Sequence, residues 1–145
     1  LLSGAQALLF LPKGKNMTTK NDLVISGLYG TQAAGVVGTV ATGIAAAGTT
    51  ITTGTALTAD VNVVSTVSAG TTDGVTLPTD RVAGDTIIVA NTSAATLKVY
   101  GSATASTGVI NGGSAGAAYS LSTVTATKFI KVSDTAATWI AIKGA

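Results

Sequence analysis

The sequence contains no His, no Cys and no Glu, and all six of its acidic residues are Asp. Without His it lacks the side chain that titrates near neutral pH. Without Cys it has no thiolate chemistry and no disulfide framework. Transition-metal sites lose their usual ligands with the same two residues. Aromatic residues are only 4% of the chain and charged residues 10%. Glycan hydrolysis by paired carboxylates would have only Asp to draw on. A nucleic-acid groove needs a denser basic stripe and more stacking aromatics than this chain carries. These absences argue against an enzyme and against nucleic-acid binding, and they point to a structural protein.

Ala, Thr, Gly and Ser fill 80 of the 145 positions. Hydrophobic residues reach 46%, which with so little charge is unlike a disordered chain. The length suits one domain, which would bury about 70% of its unfolded surface. Few side chains are large, so the expected core is thin and association with copies of itself or with a larger body would help. The net charge of +2 rests on few residues, with Lys13, Lys15 and Lys20 near one end and Lys128, Lys131 and Lys143 near the other. Solubility accounts for it. The apolar start, Leu1 to Leu11, stops at Pro12, is too short to span a bilayer and has no preceding basic segment. It is expected to be an ordered arm, with Met17 as an alternative start of the native chain and no membrane contact.

Three zones follow one another. Residues 1–30 combine that apolar patch, including Leu8, Leu9 and Phe10, with a Lys/Asn/Thr stretch and the short run Leu23-Val24-Ile25. Residues 31–56 are of low complexity, with Gly at 35, 38, 43, 48 and 54, too frequent for a helix and interleaved with β-branched residues that suit extended chain. Residues 1–56 are therefore expected to form an extended N-terminal arm or linker, and residues 57–145 the domain. In the domain, short apolar runs recur at Val61–Val67, Val75–Leu77, Thr86–Ala90, Thr96–Tyr100, Gly108–Ile110, Ala117–Leu121, Lys128–Val132 and Thr138–Ile142. Turn signals separate them, among them Asp73-Gly74, Gly84-Asp85, Asn91-Thr92-Ser93 and Asn111-Gly112-Gly113. This spacing predicts an all-β fold, an antiparallel β-sandwich or small barrel.

Motifs with chemical meaning are weak. Gly112-Gly113-Ser114-Ala115-Gly116 opens no helix, and the Gly38–Gly43 spacing of a phosphate loop has Ile44 where Lys is needed. Ser and Thr abound, but no Ser-x-x-Lys pair supplies a base. Asp73, Asp80 and Asp85 read as turn formers more readily than as calcium ligands. Asn91-Thr92-Ser93 also fits a glycosylation sequon. No catalytic, cofactor-binding or metal-binding residue is expected. Val99, Tyr100, Tyr119 and Trp139 are the expected core or subunit-interface anchors.

In order along residues 44–145 stand an Ala/Thr-rich lead-in, Leu77-Pro78, Gly84-Asp85 opening a strand, Val89-Ala90-Asn91, Leu97-Lys98-Val99-Tyr100, Ile110-Asn111-Gly112, and Trp139 before a short apolar strand. This order resembles that of capsid decoration (cement) or head-fibre proteins of tailed bacteriophages. The resemblance implies a β-rich, commonly trimeric module on the outer surface of the virion capsid, where it locks major capsid proteins together. The lack of a repeated stalk favours cement protein over the alternative, a head- or tail-fibre module binding host surface glycan. The arm, through Leu8, Leu9, Phe10, Leu23, Val24 and Ile25, is the expected capsid-binding element. Deleting residues 1–30 should then leave the domain folded and weaken attachment to emptied phage heads. Equal decoration by full-length and truncated protein in a co-sedimentation assay would reduce the arm to a linker.

Overall fold

Val, Ile and Thr alternate with small residues through most of this chain, and the described elements are all strands. The computed structural model describes residues 38–68, 73–102, 107–134 and 137–144. The chain divides into two units, Leu1–Thr39 and Val40–Ala145. The arm residues Leu8, Leu9, Phe10, Leu23, Val24 and Ile25 lie outside the described residues.

The second unit is all-β. Its strands are β1 (Val40–Ala45), β2 (Thr55–Ala56), β3 (Val61–Thr66), β4 (Gly74–Thr76), β5 (Thr86–Asn91), β6 (Leu97–Tyr100), β7 (Val109–Ile110), β8 (Tyr119–Leu121), β9 (Thr125–Ser133) and β10 (Thr138–Lys143). They form a six-stranded sheet, in the order β1-β3-β5-β9-β10-β7, and a four-stranded sheet, β2-β4-β6-β8.

The topology corrects the antiparallel expectation. From β1 to β6 the chain alternates between the sheets, so β1, β3 and β5 pair in parallel in one sheet and β2, β4 and β6 in the other. The result is a parallel roll of three two-stranded turns. A parallel pair needs a long crossover, and here each crossover contains a strand of the opposite sheet. The last strands close the roll: β9 lies antiparallel on β5, β8 antiparallel on β6, β10 antiparallel on β9, and β7 parallel to β10. Apolar spacing locates strands equally well for either direction of pairing, so it cannot distinguish a roll from a Greek-key sandwich.

The expected boundary at 56/57 is also corrected. Residues 40–56 belong to the folded unit: β1 pairs with β3, β2 pairs with β4, and Ala46 and Ile51 are buried. The unit begins at Val40. The glycines that make this stretch resemble a linker have structural places: Gly43, at φ of 71°, sits at a register break within β1, and Gly48, at φ of 73°, in the chain that turns after it.

Between the sheets lies one core. Val64, Ile87, Val89, Phe129 and Trp139 come from the six-stranded sheet, and Val75, Leu97, Val99 and Leu121 from the four-stranded one. Tyr119 sets its ring edge-on to Phe129, with centroids 5.5 Å apart. Buried polar atoms fix the ends of this core. Asn91 Nδ2 faces the carbonyls of Ala95, Leu121 and Ser122 at 2.8, 3.2 and 3.1 Å. Its Oδ1 accepts from Ser93 N and Ser93 Oγ. Trp139 Nε1 donates to Ser102 Oγ, which in turn donates to the Pro78 carbonyl.

Two glycines meet where β6 leaves its sheet and β7 begins. A Cβ on Gly108 would stand 2.7 Å from the carbonyl carbon of Gly101 and from Ser102 N, and a Cβ on Gly101 would stand 2.7 Å from Gly108. Neither backbone can yield easily, because Ser102 is held by Trp139. Gly108→Ala should therefore lower stability by about 1–3 kcal/mol, the usual range for overpacking. Urea denaturation with Gly113→Ala as control, where the nearest atom lies at 3.2 Å, measures the difference. Equal midpoints would show that the contact relaxes freely.

Candidate functional site

The four expected anchors are largely occupied within the chain. Val99 and Trp139 are fully buried. Tyr100 is buried at the end of β6, where its hydroxyl donates to the Thr49 carbonyl at 2.6 Å and burial pushes its pKa upward. Tyr119 is half-buried against Phe129. Asn91, the residue of the possible sequon, has its amide inside the fold.

The sheets differ in how their outer faces are finished. Residues 46–54 fold over the four-stranded sheet. Ile51 is buried there, and its carbonyl accepts from Thr76 Oγ1 at 3.1 Å. The Tyr100 ring lies across Gly74, where a Cβ would come within 2.6 Å of it. Beyond this cover, Lys98 Nζ donates to Ser120 Oγ on the neighbouring strand.

The six-stranded sheet has no such cover among the described residues. Its outward side chains follow from strand alternation and register. One row crosses five strands: Val40 opposite Val61, Val61 opposite Ile88, Ile88 opposite Lys128, and Lys128 opposite Ile142. A second row joins Val63, Ala90 and Ala126, and a third joins Thr86, Ile130 and Ile140. Val40, Val132, Ile140 and Ile142 are exposed at 68, 44, 45 and 50%. Lys128 is the one charged side chain in these rows, and Lys143 follows at the end of β10. A groove of about 320 Å³ lies among Ile88, Ala126, Lys128, Ile142 and Lys143. A contiguous apolar surface of this kind marks an interaction site more often than an ordinary solvated face.

The sequence signal for this face is the presence of apolar residues at both parities of a strand. Ile87-Ile88-Val89-Ala90 and Trp139-Ile140-Ala141-Ile142 have them, and such strands present apolar side chains to both sides. Alternation in Lys128–Val132 suggests one wet face. In the structure, Phe129 and Lys131 point inward, and Ile130 and Val132 share the outer face with Lys128.

Another group of charges gathers at one end of the roll. Arg81 bonds Asp60 at 2.9 Å and the Thr58 carbonyl at 3.3 Å, with Asp80 at 3.7 Å. Lys131, largely buried, reaches the Arg81 carbonyl and Asp134, the latter at 3.1 Å. Asp85 accepts from Val82 N. Among the described residues no three His, Cys, Asp or Glu side chains cluster as metal ligands would, and no helix is long and apolar enough to cross a membrane. No protein-family model matches the chain, and no curated protein or solved structure matches it significantly.

A hydrogen bond from Lys131 and one from the Ala83 backbone hold the Asp134 carboxyl below its ordinary pKa. A carboxylate whose pKa is lower in the folded chain contributes stability above its unfolded pKa and loses it as pH falls through the folded value. Acidification should therefore destabilise the wild type more than Asp134→Asn. Denaturant titrations across the carboxylate range check this, and parallel stability curves would show that Asp134 is uncoupled from folding.

Proposed function

We propose that this chain is a structural virion protein, a capsid decoration protein that sits on the outside of an icosahedral phage head and stabilises contacts between major capsid proteins. The observation that carries this reading is the outer face of the six-stranded sheet, a broad apolar surface on a scaffold built from chemically inert residues. The sequence order that resembles cement proteins supplies the particle, and the uncovered face supplies a means of holding to it. A face backed by a packed core binds by burial and shape, which suits a clamp and requires no reactive group.

The glycan-binding alternative is less well supported. Sugar recognition favours an exposed aromatic platform, whereas among the described residues Phe129, Trp139 and Tyr100 are buried and Tyr119 packs on Phe129. Homotrimerisation, expected from the resemblance, would need anchors other than Val99, Tyr100 and Trp139, which the core already uses. All rows of the apolar face come from strands of a single copy.

Purified virions of the phage that encodes the chain provide the test. Immunogold electron microscopy should place the protein on the head in many copies, and heads lacking it should release DNA at a lower temperature. Label confined to the tail, or heads of unchanged heat resistance, would refute the assignment.

A further inference from the structure

The charges around the uncovered face specify what kind of surface it meets. Five cations lie among the described residues, and three are engaged within the fold: Arg81 by Asp60, Lys131 by Asp134, and Lys98 by Ser120. The other two, Lys128 and Lys143, both border the apolar groove beside Ile88 and Ile142, Lys128 from the outer face and Lys143 from the last position of β10, where alternation places it on the opposite side of the strand from Ile142. Neither has a carboxylate partner among the described residues. The rows across this face contain no Asp at all.

We infer that the outer face of the six-stranded sheet docks a different protein through an aliphatic patch carrying carboxylates opposite Lys128 and Lys143. This inference rests on the proposed role in capsid decoration and identifies the contact surface that role would use. A second copy of this chain is a poor occupant. Stacking two such faces opposes lysines to lysines, and the described carboxylates lie elsewhere: Asp60, Asp80, Asp85 and Asp134 belong to the loops at one end of the roll, and Asp73 immediately precedes β4 of the other sheet. Like charges facing across an interface select against that pairing. Size also favours a protein over a small amphiphile. Five strands at about 4.8 Å spacing and some six residues of strand length give a patch on the order of 500 Å². That is more than half of the roughly 800 Å² per partner in a standard protein interface. The groove of about 320 Å³ is one part of it.

The test uses the full chain and three measurements. In the first, free protein is acetylated with a lysine-reactive ester and the sites are read by mass spectrometry. Lys128 and Lys143 should react readily and Lys131 slowly. Protection of Lys128 and Lys143 in the free protein would mean that the chain itself or a second copy covers the face, which would overturn the inference. In the second, the double variant Lys128→Glu/Lys143→Glu and the single variant Ile142→Lys are compared with wild type in binding to emptied heads. Each should bind about tenfold more weakly or worse, with wild-type binding weakened by salt. Lys98→Glu, on the other sheet, should bind like wild type. Wild-type affinity in the first two variants, at unchanged melting temperature, would sink the docking face while leaving decoration intact.

In the third, the uniformly ¹⁵N-labelled protein is titrated with an eight-residue peptide alternating Val and Asp, then with its Val/Lys counterpart. Amide shifts should gather at Ile88, Lys128 and Ile142 with the acidic peptide only. Shifts elsewhere, or equal shifts with the basic peptide, would refute the stated chemistry. Failure of wild type to bind heads, with the acidic peptide still mapping to this face, would instead count against the capsid assignment alone.

Discussion

The buried side chain of Asn91 is the interaction on which the architecture turns. A roll that passes repeatedly from one sheet to the other must bend the backbone at each passage, and those bends lie beside a core with no water to satisfy their carbonyls. At the end of β5, Asn91 accepts from Ser93 N and so forms the bend itself, an Asx turn. Its amide meanwhile satisfies Ala95 in the same bend and Leu121 and Ser122 in the separate passage from β8 to β9. One side chain thus joins the last parallel turn to the antiparallel strands that close it. Asn62, two residues before the register partner of Asn91, is less well served. Its Nδ2 reaches the Ala59 carbonyl, but its Oδ1 and Thr127 Oγ1 are buried without partners. Each such atom costs about 1–3 kcal/mol, so the roll is held at its junctions more firmly than along that row.

Much of the strand content was legible in the sequence. All eight predicted apolar runs from Val61 to Ile142 overlap β3 to β10, because the turn residues between them have local mechanisms. Asn111-Gly112 is the clearest, with φ of 53° and 69° and Gly113 N bonding the Ile110 carbonyl. Yet that turn joins β7 and β8, which lie in different sheets. Local chemistry bends the chain but leaves open which strand lies alongside. Parallel pairing of β1, β3 and β5 is a long-range choice, decided by which faces can be buried together. For the same reason β1 and β2 resemble an arm in the sequence: their small residues carry little local signal, and their place comes from β3 and β4.

The candidate face was hidden by an assumption that suits many sheets, that the apolar side of an alternating strand faces the core. In β9 the longer aliphatic pair, Ile130 and Val132, faces outward, and the inward set includes Lys131. That inversion holds because Lys131 is the anchor for the loop of residues 81–85. Its backbone exchanges hydrogen bonds with Gly84 and Asp85, and its ammonium reaches the Arg81 carbonyl and Asp134. A lysine satisfied in this way can occupy an inward position, and the neighbouring aliphatics then fall on the outside.

The composition that makes the core thin also suits the face for binding. Long side chains lose up to about 2 kcal/mol of rotamer freedom when an interface immobilises them, whereas Ala loses none and Ile about 0.5–1 kcal/mol. The outward rows are Val, Ile, Ala and Thr, with Lys128 the long exception. The inner sides of β5, β9 and β10 are fixed by Ile87, Val89, Phe129 and Trp139, all fully buried. The backbone that carries the outer face is therefore fixed before any partner arrives. Little of the burial free energy is then spent on ordering, and a patch of modest area can hold a partner more firmly than its size suggests.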